Sequence, residues 1–182
     1  MCLHLPLWRG ILAGMKSKVI LRSELKAARM TMSLPDVVTK SRAILNAVLT
    51  ILGNVEFVSL HCYEPIGKLR EVDVSELFDL PDAVLYTSRQ IEGEWHVVST
   101  LDDIAKQNPK IDVIIVPMLG FDKKLQRIGY GGGYYDRLLT AHPRALKIGV
   151  CYEAGSIEHV PSEPHDVALD IIITEERAVI VI

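Results

Sequence analysis

The sequence of 182 residues contains no long hydrophobic run, internal repeat or low-complexity tract. Its longest apolar stretch, at residues 111–121, is interrupted by Asp112 and Pro117 and is shorter than the roughly 18 residues that span a bilayer. A transmembrane protein is therefore excluded, and no membrane partner is expected. Apolar residues make up 49% and charged residues 24%, which favours a folded globule over a disordered chain.

Cysteine is scarce, with three residues (Cys2, Cys62 and Cys151) that lie far apart in the sequence. An odd number without any CxxC or Cys/His cluster predicts neither a disulfide framework nor a zinc site. This usage is typical of a reducing compartment, and we expect a cytoplasmic protein.

The first residues lack the features of a signal peptide. Residues 1–14 have no charged n-region, and Pro6 and Arg9 interrupt their apolar stretch. We therefore interpret residues 1–15 as a loose leader. Residues 16–182 are about as long as one domain and contain no linker-like segment, so a single domain is expected there.

The sequence also has no overall excess of basic residues, since the formal net charge is −3 at pH 7. This balance argues against a nucleic-acid partner held by a broad basic surface. The charge is unevenly distributed: residues 1–50 hold eight Lys and Arg against two acidic residues, whereas residues 51–182 hold twelve against twenty-one. Bases concentrated at one end indicate either a local anion site or the solvated face of a helix.

From residue 16 onward, helical patterns alternate with short β-branched segments. Ser33 before Pro35 and Asp36 is typical of a helix N-terminus, and Gly53 is typical of its C-terminal end. The apolar run at residues 111–117 is typical of a strand buried on both faces. The sequence therefore predicts an α/β domain with a doubly wound, mostly parallel sheet and helices on both faces. Helices are expected at residues 16–30, 34–52, 72–80, 101–107 and from 134, and strands at 55–60, 83–87, 89–99 (a hairpin), 111–117, 145–150, 169–174 and 178–182.

Four of the twelve glycines lie within five residues, at Gly129, Gly131, Gly132 and Gly133. The cluster follows the predicted strand at residues 111–117 and precedes the start of a helix. A strand, a glycine loop and a helix N-terminus together form a common phosphate site, because glycines let backbone N–H groups approach the oxygens and the helix dipole favours negative charge. The alternative is a glycine-rich turn without a ligand.

Two familiar phosphate loops do not match this cluster. A P-loop needs Gly-Lys-Ser/Thr at the start of the helix, where this sequence has Gly133-Tyr134-Tyr135. The dinucleotide fingerprint GxGxxG needs a glycine at position 134 and a place after the first strand. The neighbouring side chains still favour a ligand: Arg127 is suited to clamp a phosphate, Tyr134 to stack on a flat ring and Asp136 to hold Mg²⁺.

The same segment carries a family resemblance. Pro117-Met-Leu-Gly-Phe121-Asp122, followed by Arg127-Ile-Gly129-Tyr-Gly-Gly-Gly133-Tyr-Tyr-Asp136-Arg137, resembles the signature of the 5-formyltetrahydrofolate cyclo-ligase (5,10-methenyltetrahydrofolate synthetase) family. The resemblance covers most of residues 16–176. Three further elements agree in order and spacing: Lys18-Val-Ile-Leu-Arg22, the segment from Tyr63 to Glu71-Val-Asp73, and Pro161-Ser-Glu-Pro-His165-Asp166 with the following Leu169 to Glu175.

The resemblance implies an ATP-dependent ring closure on a reduced folate. In the family, ATP phosphorylates the formyl oxygen of 5-formyltetrahydrofolate, N10 attacks the activated carbon, and phosphate leaves to give 5,10-methenyltetrahydrofolate. An amide-like oxygen is thereby activated without a covalent protein nucleophile, which agrees with the lack of a recognisable Ser-His-Asp or Cys-His motif in the sequence. ATP and Mg²⁺ are the implied cofactors. We expect a monomer or a weak homo-oligomer.

The resemblance also implies roles for individual residues. Glu71 would hydrogen-bond the pterin, Tyr134 would pack against the folate, and Asp136 and Asp166 would position Mg²⁺. Arg127 and Asp136 are the implied catalytic residues. The implied ATP-binding residues are Lys18, Arg22, Arg127, Gly129, Tyr130, Gly131, Gly132, Gly133, Tyr134 and Tyr135. Taken without the resemblance, Lys18 and Arg22 also fit a solvated helix face, Asp166 a loop turn and Glu71 a helix N-terminus.

The sequence departs from the usual pattern of the family mostly on the folate side. Val74 stands where a threonine is common, Ser88 where a proline is expected and Gly155 where a glutamine is common, and residues 100–110 contain no Gly-Ile-x-Glu-Pro segment. Two interpretations follow: an active cyclo-ligase, or a catalytically weakened paralogue that binds nucleotide or reduced folate in a regulatory or storage role. A sugar-phosphate isomerase-like enzyme is a third, by analogy of fold alone.

Overall fold

The computed structural model describes residues 16–180, which form three α-helices, nine strands and short 3-10 turns. The leader predicted for residues 1–15 lies outside the described residues. The helices are α1 (Lys18–Thr31), α2 (Leu34–Leu52) and α3 (Tyr134–Ala141). The strands are β1 (Ser59–His61), β2 (Val84–Ile91), β3 (Glu94–Ser99), β4 (Val113–Pro117), β5 (Gly120–Phe121), β6 (Arg127–Ile128), β7 (Leu146–Val150), β8 (Ile171–Ile173) and β9 (Ala178–Ile180).

Seven strands form one sheet in the order β3-β2-β1-β4-β7-β8-β9, and β5 with β6 forms a separate hairpin. The four inner pairings are parallel, whereas the edge strands β3 and β9 are antiparallel to their neighbours. The chain builds one side of the sheet after β1 and the other side from β4 onward, so a topological switch point lies between these two strands. Ligands of doubly wound sheets bind outside the carboxyl ends of the strands at such a point.

Helices cover both faces of this sheet, as predicted. The central strand β4 is therefore buried on each face. Val113 and Ile115 pack in one cluster with residues of α2, among them Val48. Ile114 points to the opposite face and packs in a second cluster with Leu139 of α3. None of these five side chains is exposed, which explains why the strand has an unbroken apolar sequence.

Helix α2 begins and ends where the sequence predicts. The Oγ atom of Ser33 accepts a hydrogen bond from the N–H group of Asp36 at 3.2 Å, and Gly53 is the C-cap. No helix within residues 16–180 is long and apolar enough to cross a membrane.

Helix α1 packs on the β5–β6 hairpin, next to the glycine loop. Leu21 and Leu25 form a small buried cluster with Ile128 of β6. The approach is close, since a Cβ atom at Gly120 would lie 2.7 Å from both the Cδ1 atom of Leu25 and the carbonyl oxygen of Gly155. A side chain at Gly120 would therefore push the helix away from the hairpin.

The prediction of a helix at residues 101–107 is wrong. This segment forms turns, and Ala105 makes an isolated antiparallel bridge with Val98 of β3. The side chain of Asp102 accepts a hydrogen bond from the N–H group of Ile104 at 3.2 Å, and Asp103 has a φ angle of 57°. Such local side-chain bonds offer the backbone an alternative to the helix.

Candidate active site

Residues 129–133 form an open loop between β6 and the N-terminus of α3. Gly131 and Gly133 have φ angles of 104° and 64°, in the left-handed region that glycine adopts without strain. The N–H groups of this loop donate to no backbone acceptor within residues 16–180. A Cβ atom added at Gly129 or Gly132 would meet no other described residue within 4 Å. The loop therefore combines free donors with open space at a helix N-terminus, which suits an anion.

Two basic side chains of α1 reach the site. The Nε atom of Arg22 donates to the carbonyl oxygen of Gly129 at 3.1 Å. The Nζ atom of Lys18 lies 2.6 Å from Asp166 and 3.1 Å from Glu163. Burial disfavours the charged form of Lys18, but the hydrogen bonds and charges of the two carboxylates outweigh it and raise the pKa. Both side chains therefore contact other parts of the protein, unlike those of a fully solvated helix face.

Arg127 joins the loop to the segment around Asp166. Its side chain is only 6% exposed, and its guanidinium donates to the carbonyl oxygen of Val167 and to the Oδ1 atom of Asp136 at 2.5 Å. Asp136 lies in the first turn of α3, where a carboxylate also interacts favourably with the helix dipole. The structure thus brings both predicted catalytic residues together as an ion pair.

The predicted metal ligands are arranged differently from the expectation. Asp166 lies with Glu163 and His165 in a group of potential ligand atoms that are all within 4.8 Å of one another. Asp136 is not a member of this group, although it borders a cleft of about 550 Å³ together with His165. Burial raises the pKa of Asp166, but Lys18 outweighs it and holds the pKa below its usual value. Each predicted ligand is therefore paired with a base, Asp166 with Lys18 and Asp136 with Arg127.

Glu71 is buried next to Tyr130 and is not at a helix N-terminus. Its Oε2 atom accepts a hydrogen bond from the N–H group of Ile66 at 2.7 Å. The hydroxyl group of Tyr130 receives a hydrogen bond from Arg29 at 2.9 Å. Burial raises the pKa of Tyr130, with Arg29 opposing and Glu71 supporting the shift. Sequence analysis missed Arg29, although it follows Arg22 by seven residues and so lies on the same face of α1.

Aromatic rings surround the start of α3. The ring of Tyr134 lies 5.5 Å from that of Trp95 and 5.2 Å from that of Tyr135. Its hydroxyl group is hydrogen-bonded to Ser88, which also contacts the Nε2 atom of His61. Sequence analysis assigned no role to His61, Ser88 or Trp95. The sequence feature that could have identified them is that all three residues lie in strands, near the edge of the sheet where the parallel strands end.

Comparisons with known proteins agree on one family. The sequence model of the 5-formyltetrahydrofolate cyclo-ligase family matches residues 87–175, which include Arg127 and the glycine loop. A solved structure of a 5,10-methenyltetrahydrofolate synthetase from Mycoplasma pneumoniae resembles this fold with a TM-score of 0.78 and 26% sequence identity, covering 88% of this chain and 99% of that chain. The chain is therefore similar to the 5-formyltetrahydrofolate cyclo-ligase family in sequence over residues 87–175, and to 5,10-methenyltetrahydrofolate synthetases in fold.

Other proteins with related names show the same similarity. A 5,10-methenyltetrahydrofolate synthetase from Aquifex aeolicus has a TM-score of 0.71 and 27% identity, covering 90% of this chain and 92% of that chain. The curated 5-formyltetrahydrofolate cyclo-ligase of Haemophilus influenzae is 33% identical over 84 residues, which is 44% of each chain. That of Mycolicibacterium smegmatis is 40% identical over 70 residues, 38% of this chain and 36% of the relative. The chain thus aligns in sequence with less than half the length of these curated relatives.

Proposed function

We propose that this protein converts 5-formyltetrahydrofolate to 5,10-methenyltetrahydrofolate, using ATP and Mg²⁺ and releasing ADP and phosphate. The observation that carries the proposal is the meeting of the open glycine loop, the α1 bases and Arg127 near the start of α3. The type of reaction is inferred from the similar proteins, which are named 5-formyltetrahydrofolate cyclo-ligase and 5,10-methenyltetrahydrofolate synthetase.

In this proposal the glycine loop holds the phosphates of ATP. The N–H groups of residues 129–133, which have no backbone acceptor within residues 16–180, bind the oxygens together with the N-terminus of α3, and Arg22 and Lys18 add positive charge. Lys18 is paired with Asp166 and Glu163 in the structure, so a bound phosphate competes with these carboxylates for the same ammonium group. Phosphate binding and release of the carboxylates are therefore coupled.

The residues present fit a hard cation. Glu163 and Asp166 offer carboxylate oxygens close to one another, and Asp136 borders the neighbouring cleft. Carboxylate oxygens are the ligands that Mg²⁺ prefers. We therefore assign Mg²⁺ to Asp166 and Asp136, as the family resemblance implies, with Glu163 as an additional ligand. A cation bound there supplies positive charge that neutralises the phosphate oxygens.

The folate is bound by Glu71 and Tyr134 in this proposal. Glu71 is 6% exposed, and a carboxylate buried to that extent forms strong, charge-assisted hydrogen bonds with N–H donors such as those of a pterin. The rings of Tyr134 and Trp95, which are tilted by 43° to each other, offer apolar surface beside the glycine loop. Tyr130, which contacts both Arg29 and Glu71, links the two halves of the site.

The chemistry requires no covalent protein nucleophile. The formyl oxygen is a poor leaving group, and bound ATP supplies the phosphoryl group that activates it. Arg127 and the N–H groups of the loop stabilise the negative charge that develops on the transferred group. Cys62 and Cys151 are buried, and burial raises the pKa of both thiols, that of Cys151 to about 12. Neither is ionised at neutral pH, so neither is a nucleophile.

The test is the appearance of the methenyl chromophore when 5-formyltetrahydrofolate is mixed with the purified protein, ATP and Mg²⁺. We expect Asp136→Asn to lower turnover by about 100-fold or more. Asp82→Asn is the matched control, because it makes the same change of charge at an exposed position before β2, at the opposite end of the strands. A wild-type protein that binds ATP but forms no chromophore would refute the enzymatic function and favour a binding role.

A further inference from the structure

His61 is a buried polar residue that the proposed chemistry does not use. It lies at the end of β1 and its side chain is fully buried. Its Nε2 atom is 2.7 Å from the Oγ atom of Ser88, whereas its Nδ1 atom has no hydrogen-bond partner within residues 16–180. Burial lowers the pKa of His61 to about 3. The ring is therefore neutral at pH 7 and carries a proton on one nitrogen only.

The lack of a partner at Nδ1 indicates which nitrogen carries that proton. If the proton were on Nδ1, a buried N–H donor would point at no acceptor, which costs free energy comparable to a lost hydrogen bond. If the proton is on Nε2, it is donated to the Oγ atom of Ser88. The structure thus favours the tautomer of His61 that is protonated at Nε2.

This tautomer sets the direction of the next hydrogen bond. The hydroxyl group of Ser88 contacts two groups among residues 16–180, His61 and the hydroxyl of Tyr134. If Ser88 also accepted from Tyr134, its own proton would have no acceptor within residues 16–180, so the favoured arrangement is the one in which Ser88 accepts from His61 and donates to the oxygen of Tyr134. The proton of Tyr134 is then directed away from Ser88 and is available to a ligand.

We propose that His61 and Ser88 are positioning residues that hold the Tyr134 hydroxyl as a hydrogen-bond donor to the folate. The role of the folate rests on the proposed function. The rings of Trp95 and Tyr135, which contact Tyr134 on two sides, fix the direction of its C–O bond.

The tautomer is tested without any assay of activity. A long-range ¹H–¹⁵N NMR spectrum of the labelled protein distinguishes protonated from bare ring nitrogens, and the signals of His61 are identified by their loss in His61→Gln. We expect a proton on Nε2 and a bare Nδ1 at pH 7. A proton on Nδ1 would overturn the proposal, whether or not the protein is a cyclo-ligase.

The positioning role is tested by steady-state kinetics with Ser88→Ala. Without Ser88 the Tyr134 hydroxyl is no longer oriented, and the weakened hydrogen bond from Tyr134 to the ligand is expected to raise the KM for 5-formyltetrahydrofolate about five- to tenfold, with kcat changed less than about twofold. Ser88→Thr, which keeps a hydroxyl group, is expected to restore KM. Thr87→Val is the matched control, since it removes a buried hydroxyl without a partner within residues 16–180 from the same strand. Melting temperatures verify that each variant is folded.

The Tyr134→Phe background separates this role from a general effect on folding. Because Ser88 acts through the Tyr134 hydroxyl, Ser88→Ala is expected to change KM no further once that hydroxyl is absent. An unchanged KM in the Ser88→Ala single variant, or an equal rise in both backgrounds, would overturn the proposal. A wild-type protein without turnover would instead refute the proposed function, and the NMR measurement would then decide the tautomer alone.

Discussion

Replacing Asp136 by alanine removes the carboxylate that faces Arg127, and we expect this change to lower stability as well as activity. The Arg127 side chain is 6% exposed and, among residues 16–180, would keep only the carbonyl oxygen of Val167 as an acceptor. Removal of one partner from a fully buried ion pair costs about 3–5 kcal/mol, whereas an exposed pair contributes about 0–1 kcal/mol. Asp136 is 23% exposed, between these limits. We therefore expect the free energy of unfolding to fall by about 2 kcal/mol.

Urea unfolding followed by circular dichroism measures this loss. With a slope of about 2 kcal/mol/M, the midpoint is expected to fall by about 1 M. Asp136→Asn keeps an oxygen that accepts from Arg127, so it is expected to lose only about 1 kcal/mol although it loses turnover. The two variants therefore separate the structural contribution of the pair from the catalytic one.

A double-mutant cycle with Arg127→Met shows whether the loss comes from this pair. Without the guanidinium, Asp136→Ala is expected to cost less than about 0.5 kcal/mol, which corresponds to a coupling energy of about 1–2 kcal/mol. Equal losses in the two backgrounds, or a loss below about 0.5 kcal/mol in the single variant, would show that solvent already screens the pair and that the reasoning from burial is wrong.

Three further predictions concern the stability of the fold. Thr87→Val removes a buried hydroxyl that has no hydrogen-bond partner within residues 16–180, and it is expected to raise the free energy of unfolding by about 1 kcal/mol in urea titrations; a loss would reveal a partner. Gly155→Ala places a Cβ atom 2.6 Å from the carbonyl oxygen of Leu119, so we expect a loss of about 2–3 kcal/mol, whereas Gly132→Ala has open space and is expected to change stability by less than about 0.5 kcal/mol. Equal effects of the two glycine substitutions would contradict the packing described here. Hydrogen bonds from N–H groups at the start of β1 lower the pKa of Asp112 to about 2. A carboxyl group with a lowered pKa stabilises the fold above its usual pKa near 4 and loses that contribution as the pH falls through about 2. Asp112→Asn is therefore expected to cost about 1–2 kcal/mol at pH 7 and progressively less in acid, and a cost independent of pH would refute this origin.

The architecture was predictable wherever one local pattern decided it. The apolar run at residues 111–117 predicted a strand buried on both faces, and β4 is that strand. Ser33 and Gly53 marked the ends of α2, because capping depends on residues within one turn. Residues 101–107 misled the prediction, since their apolar spacing fits a helix while the Asp102 side chain stabilises a turn.

The sequence by itself determined the phosphate-loop hypothesis. A glycine loop followed by a helix is a contiguous feature, and its free N–H groups and positive φ angles follow from residue types at adjacent positions. The nearby Arg127 and Asp136 were identified with it, because they flank the same loop.

Only the tertiary structure decided which side chains face one another. Lys18 and Asp166 form an ion pair across 148 residues of sequence, and nothing local to either predicts the other. His61 and Ser88 are 27 residues apart, and the parallel pairing of β1 with β2, in which His61 lies opposite Tyr86, brings them into contact. Tyr134 joins them because α3 packs on that face of the sheet. Strand register and helix packing are set by the whole hydrophobic core, so these contacts could not be predicted from any single segment.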